Sequence, residues 1–323
     1  MRSLIIHNLK SGFGSDSIFE FERNLVREGD ECTMHVMSED DTAESLVKNA
    51  DHYDVVVISG GDGTATSLLY ALRYRNIPTC IFPSGTANLL FANIGNANEP
   101  AGLARACRVG HTAATDIGNV TWTNEQGEKH VRGFGLMCGM GFDAQLMITA
   151  LPNKRSMGEM AYFTAVLQNP NPIVSHFTID VDGEIHECDG ITCMVANNAM
   201  MQGDIEVVPD CRMDDGLLNV IVLAVNQPIE ALRPLFAGIF DKTGKNIGRP
   251  QIETFKGKHI HITSSEAIPL EIDGETTEGT IMSYAAQVFP KANLMIVDEM
   301  SRYHKDGDKT PRFSGTDEIA YPE

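Results

Sequence analysis

Apolar residues in the first third of the chain fall into short runs, and between the runs lie glycine-bearing polar turns and stretches with helical spacing. Ser3 to His7 and Cys32 to Met37 read as strands, and Thr79 to Phe82 as a further short one. Val55 to Ile58 is an unbroken aliphatic run, the pattern of a strand buried on both faces. Ile18, Phe21, Leu25 and Val26 recur at helical intervals in a segment with Ser15 as its cap and Gly29 as its stop. Asp41-Thr42-Ala43-Glu44 predicts a cap at Asp41 with Glu three residues later, opening a helix that runs to Asn49. Ala65 to Arg73 predicts a helix with Leu68, Leu69 and Leu72 on its apolar face, and Glu99 to Val109 predicts another, closed by Gly110. Strands that alternate with helices imply a parallel sheet covered on both faces. Ligands of such sheets bind at the carboxyl ends of the strands, here the turns after His7, Met37, Ile58 and Phe82.

The pattern changes near Asp116. Asp116 to Thr123, the turn Asn124 to Glu128, and His130 to Cys138 read as a hairpin. Helical spacing follows at Phe142–Ala150 and Met157–Gln168. Strands are then expected at Val174–Val181, Glu184–Glu187, Ile191–Ala196, Leu217–Val225, Lys258–Thr263, Leu270–Ile272 and Gln287–Ile296, with one helix at Ile229–Phe240. The fold class expected is therefore an α/β N-terminal domain with a parallel sheet plus a β-rich antiparallel C-terminal domain. The boundaries expected are 1–125 and 126–300, with a polar tail at 301–323 that has the option of returning to the first domain.

Composition narrows the function. Hydrophobic residues make up 42% of the chain, enough for a sizeable core. No apolar run is long enough to span a bilayer, and the N-terminal run Leu4-Ile5-Ile6 is too short for a signal-peptide core, so a cytoplasmic location is expected. The 7 cysteines are scattered and never form CxxC, which argues against a disulfide framework or a zinc site. A net charge of −19 argues against nucleic acid and against simple docking on anionic lipid. Arg132, Lys154 and Arg155 are the local basic residues that stand out, as a patch or as a solvated surface.

The chemistry concentrates at Gly60-Gly61-Asp62-Gly63-Thr64, directly after the buried strand and before a helix. Glycines let the main chain approach a ligand closely, and N–H groups at a helix start favour negative charge, so this is a phosphate-binding geometry. Asp62 would repel a phosphate unless a cation mediates the contact or Asp62 meets a hydroxyl. A plain Asp-Gly turn is the bland alternative, since that dipeptide also begins at 182, 189, 215, 273 and 306. Pro83 to Asn88 forms a second glycine bend after a strand. No GxxxxGK[ST] occurs, which excludes a P-loop. Gly139-x-Gly141-x-x-Ala144 fits a dinucleotide fingerprint but lacks the surrounding βαβ unit. Met137, Met140, Met147, Met157 and Met160 suit an adaptable lipid-binding wall or ordinary core.

Gly60-Gly61-Asp62-Gly63-Thr64 followed by Gly85-Thr86-Ala87-Asn88 resembles the diacylglycerol kinase catalytic-domain family, which includes bacterial soluble lipid kinases and sphingosine kinases. NAD kinases and 6-phosphofructokinases carry similar turns, but the ordered series of motifs is more specific. Asn8 and Ser11-Gly12 match the family's N-P-x-S-G loop, with Leu9 in place of Pro. Gly139 to Ala144, Asn197-Asn198, Gly203, Pro209, Asp214 to Leu217 and Asp273-Gly274-Glu275 match its later segments. Leu89-Leu90 departs from the usual Asp-Phe, which removes an acid at position 89.

The resemblance implies an ATP site built from Asn8, Ser11, Gly12, Ser38, Gly60, Gly61, Asp62, Gly63, Thr64, Gly85, Thr86 and Asn88. Helix capping is the alternative role for Thr64 and Thr86, and it is compatible with binding. Asp62 and Asp143 would organise Mg2+ through water. Asp215 would hold a second, structural Mg2+ with backbone carbonyls near Arg212 and Leu217; from the residues alone it reads as a turn residue. The Asp273-Gly274-Glu275 motif implies an acidic general base, with Glu275 first, Asp273 second and Asp62 third. If the segment stays extended, residues 273 and 275 face one side and can raise each other's pKa; if Asp-Gly turns tightly, they diverge.

The expected protein is a two-domain lipid kinase with a cleft, transferring the γ-phosphate of ATP to a diacylglycerol-like, phosphatidylglycerol-like or sphingoid hydroxyl. The alternatives are a kinase of a soluble acceptor such as NAD and a non-catalytic nucleotide-responsive binding protein. The expected partners are the lipid, a transient membrane surface, no nucleic acid, and optionally a second copy in a homodimer.

Overall fold

The structure, a computed structural model, describes residues 1–11, 16–109, 111–141, 173–201, 205–224 and 241–305. Gly12, the caps expected at Ser15 and Gly110, Asp143, Gly203, and the helices expected at 142–150, 157–168 and 229–240 lie outside these residues. The chain divides into two compact units, one of Met1–Leu68, Arg75–Ala114 and the residues from Asn293 on, the other of Leu69–Tyr74 and Thr115–Ala292. No described helix is long and apolar enough to cross a membrane.

The first unit is built on the parallel strands β1 (Arg2–His7), β2 (Glu31–Val36), β3 (Val55–Gly60) and β4 (Pro78–Pro83), in spatial order β2-β1-β3-β4. Val55 to Ile58 are fully buried, as a central parallel strand requires. The helices are α1 (Ser17–Arg27), α2 (Ala43–Val47), α3 (Asp62–Leu72), α4 (Leu89–Ile94) and α5 (Pro100–Val109). Ile18, Phe21 and Leu25 of α1 are buried, and α1 packs on α5. Because β2 lies on one side of β1 and β3 on the other, the chain direction switches between β1 and β3. The loops after these two strands therefore leave the sheet at its topological switch point, the usual ligand position of an open α/β sheet.

Three local readings are corrected. The cap of α2 is Thr42, not Asp41: Thr42 Oγ1 accepts from Ser45 N at 3.1 Å, and the Ser45 hydroxyl accepts from Thr42 N at 3.0 Å. Asp41 is engaged instead by Ser38, whose N–H and hydroxyl donate to it at 2.8 and 2.9 Å. Helix α3 begins at Asp62 rather than Ala65, so Asp62, Gly63 and Thr64 form its first turn. Helix α4, absent from the sequence-based scheme, follows directly on Asn88.

The second unit is a β sandwich. Its strands are β5 (His111–Thr123), β6 (Lys129–Phe134), β7 (Met137–Gly141), β8 (Ser175–Val181), β9 (Glu184–Gly190), β10 (Thr192–Ala196), β11 (Met200–Met201), β12 (Ile205–Glu206), β13 (Leu218–Leu223), β14 (Ile252–Gly257), β15 (His259–Ile268), β16 (Leu270–Ile272), β17 (Glu275–Thr276) and β18 (Ile281–Val297). The last residues of β18 belong to the first unit, where Leu294 and Met295 pair in parallel with Pro78 and Thr79 of β4. One face of the sandwich runs β18-β15-β8-β9, with β5 pairing β18 and β6; the other runs β14-β13-β10-β7-β16-β17. Apolar side chains of both faces meet in one core, among them Phe134, Phe177, Ile262 and Tyr284 against Met140, Val195, Val220 and Leu270. The strand expected at 130–138 is two strands in two sheets: β6 pairs β5, and β7 pairs β10 and β16. The break falls at Gly135-Leu136, whose N–H groups donate to the carboxylate of Asp273. Strand β14, also absent from the sequence-based scheme, pairs β13.

Candidate active site

The two glycine bends touch. A Cβ placed on Gly85 would lie 2.4 Å from Gly61 Cα, a distance that real side chains do not reach, so glycine is needed at this contact. Gly85 N donates to Asn88 Oδ1 at 2.8 Å, and Asn88 Nδ2 returns a bond of 2.8 Å to Gly85 O. This pair of bonds closes the second bend, with Asn88 in the left-handed region at φ 49°. Ser84 N donates to Gly60 O at 3.2 Å and joins the two bends through main chain. The N–H groups of the first turn of α3 have no intrahelical acceptor and present positive potential at this edge.

The loop after β1 closes the same edge. Asn8 N donates to Ser59 O at 2.9 Å, and Asn8 Nδ2 donates to Thr64 Oγ1 at 2.9 Å. Gly61 N donates to Ser11 Oγ at 3.3 Å. Gly60 has no Cβ where Thr64 packs; one placed there would lie 2.6 Å from Thr64 Cβ. Asn8, Ser11, Gly60, Gly61, Asp62, Gly63, Thr64, Gly85 and Asn88 are thus brought together, and Thr86 lies exposed on the second bend. Ser38 stands at the end of β2 with its hydroxyl engaged by Asp41, whose carboxyl is held down at about 2 first by the Ser38 N–H and then by His35. Beneath the bends runs a polar chain that sequence reading missed. Ser59 Oγ lies 2.8 Å from both His7 Nδ1 and Ser84 Oγ, and burial lowers the pKa of His7. The three residues lie far apart along the chain, and nothing in the sequence links them.

Asp62 Oδ1 accepts from Leu90 N in the first turn of α4 at 2.8 Å, while Oδ2 has no donor among the described residues. A carboxylate with one open oxygen beside free helix N–H groups fits a divalent ion that arrives with a nucleotide, since Mg2+ is usually held by one or two carboxylates together with substrate phosphates. The absence of an acid at Leu89 is matched by its place in α4, with the neighbouring amide of Leu90 on Asp62.

The Asp273-Gly274 pair makes a tight turn, with φ of 49° and 86° and Ile272 paired to Glu275. The two carboxylates therefore diverge, as the turned alternative has it. Asp273 Oδ1 accepts from Leu136 N at 2.9 Å and Met137 N at 3.0 Å, and Oδ2 from Gly135 N at 2.8 Å. This carboxylate holds the crossover from β6 to β7. Glu275 is exposed and paired to Arg132 Nη2 at 2.6 Å. Glu271, buried on β16, accepts from Gly274 N and braces the turn from below.

A second acidic turn precedes β13. Asp215 Oδ1 accepts from Leu217 N at 3.0 Å and Oδ2 lies 3.1 Å from Lys256 Nζ. Arg212 grips Asp214 through Nε and Nη2 at 2.7 and 3.3 Å. Asp116, buried on β5, accepts from Gly216 N and Lys291 N, each at 2.7 Å. Burial pushes Asp116 up to about 6, with these two N–H donors opposing and Asp215 and Asp214 adding to the rise. Both oxygens of Asp215 are thus engaged by nitrogen donors. The side chains of this turn leave no open carboxylate for a divalent ion. Among the described residues no cluster of three or more His, Cys, Asp or Glu is arranged to hold a metal.

A parallel sheet with touching glycine bends at its switch point, followed by a β sandwich, is the NAD kinase/diacylglycerol kinase-like architecture. Residues 2–120 match the diacylglycerol kinase catalytic domain, and residues 137–297 match the YegS C-terminal NAD kinase beta sandwich-like domain. The chain belongs to the diacylglycerol kinase catalytic-domain family, a family of lipid kinases, and is a phosphotransferase. It is 25% identical over 243 residues to a diacylglycerol kinase of Staphylococcus carnosus (strain TM300), covering 73% of this chain and 74% of that one. It is 23% identical over 284 residues to a diacylglycerol kinase of Staphylococcus aureus (strain JH9), covering 85% and 86%. The fold is shared with a crystal structure of a diacylglycerol kinase from Bacillus anthracis str. Sterne, at a TM-score of 0.71 and 21% identity over 92% of this chain and 97% of that one. Yeast NADH kinase complexed with NADH has a TM-score of 0.51 at 10% identity, over 93% and 84%.

Proposed function

We propose that the protein transfers the γ-phosphate of ATP to a lipid hydroxyl, with a diacylglycerol-like acceptor first because the curated relatives carry that name. The contact of the two glycine bends at the switch point carries the reading. The N–H groups at the start of α3 and the hydroxyls of Thr64 and Thr86 hold the phosphates. Asn8 fixes Thr64, and Ser11 fixes Gly61. Asp62 would hold Mg2+ together with the nucleotide, and the ion would offset the charge of the phosphates. Glu275 takes the proton of the acceptor hydroxyl, and leaves Arg132 to do so. Asp273 is a positioning residue in this scheme, because three N–H groups already occupy its carboxylate.

Incubation with γ-labelled ATP, Mg2+ and either a mixed lipid extract or NAD tests the reading. Label is expected in lipid, and Asp62→Asn and Glu275→Gln are each expected to lower it by about 100-fold or more with unchanged circular dichroism. Label in NAD alone would make this a kinase of a soluble acceptor. ATP binding without transfer to any acceptor would make it a nucleotide-responsive binding protein. Wild-type turnover in Glu275→Gln would remove Glu275 from its role as the base.

A further inference from the structure

We infer that Lys256 is the built-in cation of the Asp214–Leu217 turn, standing where the family resemblance places a structural divalent ion. Lys256 sits on β14, opposite Asn219 of β13, and the acidic turn leads directly into β13. Its ammonium reaches back along the strand pair to Asp215 Oδ2 at 3.1 Å, while Leu217 N occupies Oδ1 at 3.0 Å. The neighbouring acid has its own cation, since Arg212 binds both oxygens of Asp214, whose side chain is 9% exposed. Gly216, at φ 75°, turns its N–H to Asp116 rather than outward. Every carboxylate of the turn is therefore engaged by a nitrogen donor of this chain. Mg2+ demands near-octahedral oxygen ligands at short range and would have to displace an ammonium from the oxygen it needs. The turn is a closed salt-bridged corner of the sandwich, and the second unit folds without a divalent ion.

Thermal unfolding of the full chain without nucleotide, in millimolar MgCl2 or in EDTA, tests this independently of the acceptor. The wild-type midpoint is expected to be the same in both. Lys256→Met is expected to lose about 2 °C in EDTA, the scale of one partly exposed ion pair in a chain of this size. Mg2+ is expected to restore that loss, because Asp214 and Asp215 then have Arg212 alone as a cation. Lys256→Arg, which keeps the charge, is expected to melt as wild type does in both solutions. A wild-type midpoint that Mg2+ raises and that Asp215→Asn makes indifferent to Mg2+ would overturn the inference. So would a Lys256→Met variant that melts in EDTA like the wild type.

Discussion

The glycine bends of the first unit are made of main chain, and the acidic turns of the second are made of side chains that answer main chain elsewhere. At the bends the amides point outward from a helix start and two Cα atoms touch, so the residues that matter are those with nothing beyond Cα. At Asp273 and Asp116 the carboxylates receive amides from distant parts of the chain. The first arrangement leaves donors available for a ligand; the second uses them up to hold the fold. An acid within a motif is therefore not by itself a reactive acid. Asp62 has one oxygen without a donor among the described residues and Glu275 is exposed, whereas Asp273 is committed on both oxygens.

Gly85→Ala should break the comparison most sharply. The added Cβ would meet Gly61 Cα at 2.4 Å, and backbone on both sides cannot yield as a flexible side chain can. The bends must part, and a displacement of this kind next to transferring phosphate costs about 100-fold in rate. Expected is a fall of that size in labelled-phosphate transfer, with ATP binding weakened and the unfolding transition of the sandwich retained. Near-normal turnover would mean that the bends do not share a ligand.

Asp273→Ala should do the reverse. Gly135, Leu136 and Met137 would lose their common acceptor at the crossover between the two sheets. Leaving partly buried donors unmet costs roughly 2 kcal/mol here, allowing for water that reaches some of them. Urea unfolding should show that loss, while ATP binding stays within about twofold of wild type, a change worth under 0.5 kcal/mol. A stable but inactive variant would instead place Asp273 in the chemistry.

The same contrast explains what was readable in the sequence. The βαβ alternation and both glycine bends stood out because they are local: a buried aliphatic run, then glycines, then helical spacing. The start of α3 was misplaced because Gly61-Asp62-Gly63 reads as a turn by propensity, although Asp62 gains Leu90 N as a donor once the helix forms. The partners of the second unit's carboxylates were not legible, since they lie far along the chain. Asp273 meets Gly135, Glu275 meets Arg132, and Asp116 meets Gly216 and Lys291. Asp-Gly at 273 left both an extended and a turned geometry open, and pairing of Ile272 with Glu275 chose the turn. The cap at Thr42 shows a smaller case: two adjacent candidates, decided by Ser38 capturing Asp41.

The buried acid of the second unit also makes a pH prediction that the first unit does not share. An ordinary Asp titrates at 3.8, while burial raises Asp116 to about 6. Between these values the folded protein holds a proton that the unfolded chain has released. Stability from this group is therefore fullest below 3.8 and declines as pH rises through 6. From pH 5 to pH 7 the decline is roughly 1 kcal/mol. Asp116→Asn should flatten that interval in urea unfolding, and Gly85→Ala should keep it. A wild-type protein equally stable at both ends would mean that the two N–H donors hold Asp116 ionised throughout.

Asn8→Ala has the smallest expected effect and probes how finely the bends are set. Asn8 Nδ2 donates into Thr64 Oγ1 at 2.9 Å, so the hydroxyl proton of Thr64 must point away from Asn8. That leaves Thr64 oriented as a donor toward whatever lies at the start of α3. With Asn8 removed, the hydroxyl is free to turn, and one hydrogen bond's worth of orientation is lost, roughly 0.7 kcal/mol. The expected result is a KM for ATP raised about threefold with kcat nearly unchanged, the signature of binding lost equally in ground and transition states. The melting midpoint should hold, because Asn8 N still donates to Ser59 O through main chain. An unchanged KM would show that Thr64 binds no phosphate through its hydroxyl and serves only to start the helix.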